Sequence, residues 1–161
     1  MGHWNEKKLG ELLTQRKEQV TITPESEYSL VTITNKVEVK LREKKKGGLI
    51  RAKKGYTTKA GDFIYSRLSV HTGAFGIVPE ELENALITNE MPSFQINKTL
   101  IHPKIMLYLL GMPQFQWNLK QLTKGMGRVR IKESMMLALK VTFPALPNQQ
   151  KFVEKLDVIK E

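Results

Sequence analysis

Short apolar segments, interrupted at close intervals by glycine and proline, constrain the fold of this chain most strongly. Residues 28–41 place Val31, Ile33, Val37 and Val39 at alternate positions among polar side chains. A period of two is typical of strands with one buried face. Further short strands are predicted at residues 63–68, 73–78, 85–88, 93–97 and 137–143. Strands of this length favour a twisted, mostly antiparallel sheet.

Two helices are predicted within the strand pattern. Pro103 suits the first turn of a helix, and Gly111 is typical of a residue that ends one. A second helix is predicted over residues 114–122, which carry Phe115, Trp117, Leu119 and Leu122. Phe115 and Trp117 are predicted to be core residues. The sequence therefore predicts a single α+β domain with a twisted, mostly antiparallel sheet and two central helices.

Glycine and proline also predict turns and a further helix. Residues 44–48 read Lys-Lys-Lys-Gly-Gly, which predicts a basic turn with residues 49–53 as the returning strand. Pro147 starts a C-terminal helix, in which the apolar side chains recur at helical spacing. These apolar residues are Phe152, Val153, Leu156 and Ile159. Residues 1–146 would then form the domain and residues 147–161 the projecting helix, whose apolar stripe packs on the domain or on a partner.

Charge indicates a polyanionic partner. The formal net charge is +10. Residues 36–67 hold eleven lysines and arginines against three acidic residues, and residues 120–140 hold six against Glu133. Because phosphate contacts supply most non-specific affinity for nucleic acids, two such basic zones favour a nucleic-acid surface. A lysine-rich surface kept for solubility is the alternative.

The composition excludes several classes of site. The chain has no cysteine, which removes disulfides, thiol catalysis and cysteine–zinc sites and is compatible with a reducing cytoplasm. Its three histidines do not have the spacing of metal ligands. No apolar run approaches the roughly 20 residues that a membrane span needs, and the N-terminus has no apolar signal core. We therefore expect a cytoplasmic protein without a membrane partner.

Candidate catalytic residues are few. Glu25, Glu38 and Lys40 resemble the acid and Glu-x-Lys pattern with which nucleases hold Mg²⁺, although this pattern is common by chance and a surface ion pair is the sounder interpretation. Asp62 follows Gly61 at a strand start, where an aspartate usually bonds turn amides, so a structural role is predicted. Residues 124–128 form a basic glycine loop, which could hold a phosphate or be a plain loop.

Five segments, in order, resemble the target-recognition domain of the specificity subunit of type I restriction–modification systems. They are WNEKKLGELL at 4–13, KAGDFIYSRL at 59–68, GAFGIVPEEL at 73–82, GMGRVRI at 125–131 and LPNQQKFVEKL at 146–156. The resemblance implies a non-catalytic protein, without cofactor or metal, that reads one half of a split double-stranded DNA target. It further implies methyltransferase and restriction subunits as partners, and a C-terminal helix that begins a spacer coiled coil.

Candidate site residues follow from the resemblance and from charge. The DNA-facing set lies at or beside the matching segments and comprises Arg67, Lys124, Arg128 and Arg130. Phosphate contacts are predicted from charge alone at Lys44, Lys45, Lys46, Lys53 and Lys54. The partner or coiled-coil set is Phe152, Val153, Leu156 and Ile159. Gly61 and Asp62 would support the strand that presents Arg67.

The resemblance leaves the assembly and some functions open. The sequence holds one recognition domain, and its spacer helix is shorter than the resemblance implies, so we expect a half-subunit that pairs with a second copy or a part of a longer gene. A recognition domain from a fused restriction–methylation enzyme would have the same fold. A Mg²⁺ nuclease at Glu25, Glu38 and Lys40, or a general DNA- or RNA-binding module, would differ in function.

Overall fold

The chain forms short strands and helices that alternate along the sequence. The computed structural model describes residues 4–125 and 130–160, and side chains as far as Leu156. Within this part of the chain the strands are β1 (Trp4–Lys8), β2 (Leu13–Arg16), β3 (Gln19–Thr21), β4 (Glu27–Thr34), β5 (Glu38–Lys46), β6 (Lys54–Thr57), β7 (Phe63–Tyr65), β8 (Phe75–Ile77), β9 (Leu86–Ile87), β10 (Ser93–Ile96) and β11 (Lys140–Pro144). The helices are α1 (Leu9–Leu12), α2 (Pro103–Gly111), α3 (Pro113–Thr123), α4 (Glu133–Leu137) and α5 (Leu146–Lys160).

The described strands pair in three sheets rather than in the one sheet that the alternation suggested. Their strand orders are β1-β11, β2-β10-β7-β8 and β3-β6-β9-β4-β5. All pairings are antiparallel except that of β4 with β9. The α+β class, the mostly antiparallel pairing and the two central helices α2 and α3 are thus confirmed. A strand as short as β9 makes few hydrogen bonds to its neighbours, and helices interrupt the sequence of strands, so the strands do not join into one sheet.

Strand β7 separates two hydrophobic cores. Phe63 and Tyr65 point into the larger core with Phe75 and Phe94, while Ile64 points into the smaller one. This alternation is the period-2 pattern of a strand, here with both faces buried. Tyr65 stacks on Phe94 with ring centroids 5.9 Å apart. The middle of β7 is therefore fixed from both sides, which sets the position of the residues that follow it.

The β4–β5 hairpin turns at residues 35–37, so the predicted basic turn at 44–48 is wrong. Lys44, Lys45 and Lys46 lie in β5, where they pair with Ser29, Tyr28 and Glu27. A bulge at Leu30/Val31 shifts the register by one residue, and the pairing continues beyond it to Lys46. Because β5 runs on to Lys46, residues 49–53 do not return as its partner. Gly47 and Gly48 instead bond to the carbonyls of Ser26 and Pro24.

The prediction of the last strand differs in detail. It was predicted over residues 137–143, but Leu137 ends α4 and the strand begins at Lys140. Leu9, Leu12 and Leu13 are buried, whereas Trp4 lies in β1 and is 56% exposed. Gly76 lies in the middle of β8. A side chain there would come within 2.7 Å of Val39, so the close approach of β8 to β5 requires glycine.

Helix α5 starts at Leu146, one residue before the predicted boundary, and its first turns pack on the domain. Val153 is 5% exposed and belongs to the larger core, against which Leu156 also packs. Gln149 is completely buried. Its side-chain amide donates to the carbonyls of Leu100 and Pro144 at 2.9 Å and accepts from the amide of His102 at 2.7 Å. This buried amide fixes the direction of α5.

An ion pair joins β2 to the turn before β7. Arg16 donates to both carboxylate oxygens of Asp62, through Nε to Oδ2 and through Nη2 to Oδ1 at 3.2 Å. Asp62 was expected to bond turn amides, and its role is indeed structural, but the partner is a side chain 46 positions away. Burial raises the pKa of Asp62, and the Arg16 guanidinium opposes this rise.

Replacing Arg16 by alanine should lower the free energy of unfolding by about 3 kcal/mol near neutral pH, because Asp62 stays buried without its partner. The pKa of Asp62, which burial already raises, rises further in this variant. A raised pKa in the folded state means that protonation favours the fold. The deficit should therefore shrink as the pH falls from about 7 to about 4.

Urea unfolding at several pH values measures this deficit. Arg51→Ala, at an exposed position, is the control for loss of an arginine and should cost little at any pH. A deficit in Arg16→Ala that does not change with pH would contradict the role assigned to the pair.

Candidate nucleic-acid interface

Hydrogen bonds join the end of β7 and the residue Arg67 to Ile131. The Tyr65 hydroxyl donates to the carbonyl of Ile131 at 2.9 Å, and the amide of Ile131 donates to the carbonyl of Arg67 at 2.8 Å. Burial raises the pKa of Tyr65, so its phenol keeps the proton that it donates. The amide of Arg67 bonds to the carbonyl of Glu90 at 2.9 Å. Three distant segments thus meet at Arg67.

Arg67 is paired with Glu133. Its Nε and Nη2 donate to the two carboxylate oxygens at 2.7 and 2.8 Å, and Gln15 donates to the same carboxylate at 3.2 Å. The side chains of Arg67 and Glu133 are only 20% and 18% exposed. A guanidinium held in this way is a fixed group with its charge compensated. That Arg67 contacts DNA remains a prediction.

Arg130 lies close to Arg67 but is more accessible. Its Nε lies 2.9 Å from both carboxylate oxygens of Glu90, and the two side chains are about half exposed. Lys124 is exposed directly after α3, and Gly125 follows with a φ of 77°. Arg128 lies outside the described residues. Of the predicted DNA-facing residues that the structure describes, Lys124 lies directly after α3 and Arg130 lies directly before Ile131. Arg67 lies just after the end of β7.

A polar cleft of about 160 Å³ opens beside this cluster. Its wall includes Arg16 and Lys17 from the end of β2, Arg67 with Glu133, and Asn89. Ser93 also lines the cleft, and its hydroxyl has no hydrogen-bond partner among the described residues. Exposed Lys17, by contrast with the two arginines, has no carboxylate partner in the described part of the chain. The cleft therefore presents hydrogen-bonding groups with a modest positive charge.

The predicted phosphate-contact lysines do not form one cluster along the sheet. Lys44, Lys45 and Lys46 lie on the edge strand β5, and Lys54 lies on β6, which β9 and β4 separate from β5. Alternation along β5 points Lys45 to one face and Lys44 and Lys46 to the other. Lys53, Lys44, Lys46 and Lys54 are exposed. Their role as phosphate contacts stays a prediction.

The predicted partner set on α5 divides between the core and the surface. Val153 and Leu156 pack on the domain itself, whereas Phe152 is 42% exposed. Phe152 makes an edge contact with Trp4, at 6.1 Å between ring centroids. The side chain of Ile159 lies outside the described residues. Phe152 and Trp4 thus form the exposed apolar surface at this end of the chain.

The alternative nuclease site has no geometric basis. Glu25 precedes β4, and Glu38 pairs with Thr34 at the opposite end of that strand. Seven residue steps along β4 span roughly 23 Å, which is too far for two ligands of one Mg²⁺. Glu38 and Lys40 form a surface ion pair at 3.7 Å, as the sounder interpretation predicted. Among the described residues, no group of acidic or histidine side chains could hold a metal ion. In the same part of the chain, no helix is long and apolar enough to cross a membrane.

Sequence reasoning missed the residues that complete this region. Arg16, Glu90 and Glu133 hold predicted residues through ion pairs, and Gln15 and Lys17 line the cleft. The two partners of each ion pair lie 40 to 66 positions apart in the sequence. No local spacing indicates such pairs, because the three-dimensional fold alone brings them together.

Comparison with known proteins gives a consistent result. The family model described as "Type I restriction modification DNA specificity domain" matches residues 1–161. The HsdS subunit from Thermoanaerobacter tengcongensis has a similar fold, with a TM-score of 0.79 and 17% identity over 97% of this chain and 42% of that one. A chain from a structure of type I R-M system assembly and conformational transition gives a TM-score of 0.76 and 16% identity over 99% of this chain and 42% of that one. The chain thus spans less than half the length of either, and no curated protein matches it.

Two glutamates allow a matched test of the ion pairs. Glu133→Gln should lower the free energy of unfolding by about 2 kcal/mol, because it leaves a largely buried guanidinium without its counter-charge. Glu90→Gln makes the same chemical change in an exposed pair and should cost less than about 1 kcal/mol. Urea unfolding of both variants measures the difference. Equal losses would contradict the structural role given to Arg67 and Glu133.

Proposed function

Because the chain belongs to the family of type I restriction modification DNA specificity domains, we propose that it is a target-recognition domain that reads one half of a bipartite double-stranded DNA target. It acts as a specificity component without catalysis and directs methyltransferase and restriction subunits to that target. The observation that carries the proposal is the junction at Arg67, which lines a polar cleft and is hydrogen-bonded to Ile131, the residue that follows Arg130.

The two arginines would act differently. The Arg130–Glu90 pair is exposed, and such a pair contributes little, so a phosphate can replace the carboxylate at low cost. Arg67 is fixed by Glu133 and would serve to position the loop, or to offer its remaining N–H groups to a base edge. Lys124 and Arg128, together with the lysines of β5 and β6, would supply phosphate contacts that set the register on the duplex.

Replacing Arg128 and Arg130 together by alanine should weaken DNA binding and flatten its salt dependence by about one unit of slope for each lost phosphate contact. Fluorescence anisotropy with random-sequence duplexes over a salt series measures both effects. Lys59→Gln is a control for loss of charge, because Lys59 lies within 4.0 Å of both Glu18 and Glu83. Unchanged affinity across the salt series in the double variant would refute the assignment.

Selection of bound duplexes from a random pool tests sequence recognition itself. A shared sequence motif among the enriched duplexes supports a target-recognition domain. Enrichment without any motif would instead favour the general nucleic-acid-binding module.

We further propose that α5 and Trp4 form the surface through which the domain joins a second copy or a methyltransferase subunit. Val153 and Leu156 hold the helix on the domain, and Phe152 with Trp4 faces outward. A partly exposed aromatic pair is typical of an interface anchor. A second copy related by a two-fold axis would then read the other half of a split palindrome.

Substitutions at two neighbouring residues of α5 distinguish an effect on assembly from an effect on stability. Phe152→Ser should reduce self-association in light scattering while changing the free energy of unfolding by less than about 1 kcal/mol, since Phe152 is 42% exposed and outside the core. Val153→Ala should cost about 1 to 2 kcal/mol through its cavity and leave the surface intact. A wild-type chain that stays monomeric at high concentration would exclude the second copy as the partner, and pull-down with a type I methyltransferase subunit would then test the other.

A further inference from the structure

A long part of the sequence lacks carboxylates. Between Glu90 and Glu133, residues 91–132 contain no aspartate or glutamate and seven lysines and arginines. Both flanking glutamates are themselves paired with arginines, Glu90 with Arg130 and Glu133 with Arg67. A polyanion that contacts this segment meets no carboxylate within it, and the glutamates at its two ends are already compensated. Helices α2 and α3 lie in this part of the chain.

Helix α3 presents a distinct outer face. Phe115 and Leu119 are buried on its inner side. On the opposite side, Gln114, Trp117 and Lys120 are exposed, and Gln121 lies beside them at the i+4 position from Trp117. The prediction that Trp117 is a core residue is wrong, because its side chain is 57% exposed although the helix has a well-formed buried face. The outer face therefore combines an aromatic ring, amides and a cation.

The position of α3 is fixed beside the candidate interface. It packs against the 3-10 helix Val70–Thr72, which begins three residues after Arg67, and it runs directly into Lys124. Gln116 donates to the carbonyl of Leu110 at 2.8 Å and joins the start of α3 to the end of α2. A rigid helix that leads into the basic loop is suited to carry recognition side chains.

The amides on α3 are not equivalent. Gln114 donates to Asn118 at 3.2 Å, which occupies part of the capacity of both side chains. The side chain of Gln121 has no hydrogen-bond partner among the described residues. Glutamine can donate to and accept from adenine in the major groove, and an apolar side chain can contact the thymine methyl group. The free amide and the exposed ring thus match the two partners of an A·T pair.

We infer that α3 is a DNA-recognition helix of this domain, which lies in the major groove with Gln121 and Trp117 facing base edges and Lys120 and Lys124 contacting phosphates. A helix of about 10 to 12 Å diameter fits a groove of about 12 Å width. The inference rests on the proposed function, since it names the element that reads DNA. Sequence discrimination at one A·T position then comes from Gln121, and orientation on the duplex comes from the two lysines.

The two tryptophans of the chain allow a direct test. In the full chain, Trp4→Phe leaves Trp117 as the only tryptophan, and Trp117→Phe leaves Trp4. Adding random-sequence DNA duplexes should change the fluorescence of Trp117 and protect it from acrylamide. The Trp4 signal in the matched variant should stay unchanged. Anisotropy of the labelled duplex, recorded in the same titration, reports binding independently of either tryptophan.

The outcomes separate this inference from the proposed function. Binding by anisotropy with no change at Trp117 overturns the recognition helix and leaves the proposed function intact. Absence of binding by anisotropy overturns both. DNA can also bind while Trp117 becomes protected only after a methyltransferase subunit is added. That result identifies a protein-docking face on α3 and also overturns the inference.

A double variant and a single variant at and directly after α3 test the assigned roles. Lys120→Gln with Lys124→Gln should lower the salt slope of binding by about two, whereas Lys59→Gln should leave it unchanged. Gln121→Ala should relax one A·T position in the sequences enriched from a random pool without a change in salt slope. An unaltered motif in Gln121→Ala would remove this residue from base recognition.

Discussion

The hydrogen-bonded junction between the end of β7 and residues 131–133 is the constraint on which the candidate interface depends. Tyr65 is buried in the larger core, and its hydroxyl holds the carbonyl of Ile131. Ile131, itself completely buried, bonds back to the carbonyl of Arg67. The core thus fixes the end of the basic loop, while α3 fixes its start. Groups whose backbones are already fixed lose little further entropy on binding, so Arg67 and Lys124 are held before a ligand arrives.

The same junction determines which cations are available to a polyanion. Glu133 compensates Arg67 in a largely buried pair, and separating that pair for a phosphate would leave a carboxylate poorly solvated. Glu90 compensates Arg130 in an exposed pair that exchanges partners readily. Electrostatic affinity should therefore come from the exposed lysines and Arg130, and Arg67 contributes mainly geometry. Charge counted along the sequence does not reveal this division, since it depends on burial.

Local patterns predicted the elements whose formation is itself local. Alternation predicted β structure over residues 28–41, where β4 and the start of β5 lie, Pro103 and Gly111 bounded α2, and Pro147 marked the first turn of α5. The prediction failed at Lys44–Lys46, because the two glycines that suggested a turn lie past the strand end, and pairing with β4 carries the strand through the lysines. It also missed the partners of Asp62 and Arg67, which lie 46 and 66 positions away. Such pairs form only in the folded structure, so no pattern of neighbouring residues in the sequence indicates them.

Helix α5 shows how one element can serve the domain and a partner together. Periodicity placed Phe152 and Val153 in a single apolar stripe, yet Val153 enters the core and Phe152 faces outward beside Trp4. The buried amide of Gln149, with hydrogen bonds to Leu100, Pro144 and His102, sets the helix direction. Because a buried amide with lost partners is costly, this direction resists change. A partner that binds the outer side of α5 would thus be held at a fixed orientation to α3 and to the basic loop.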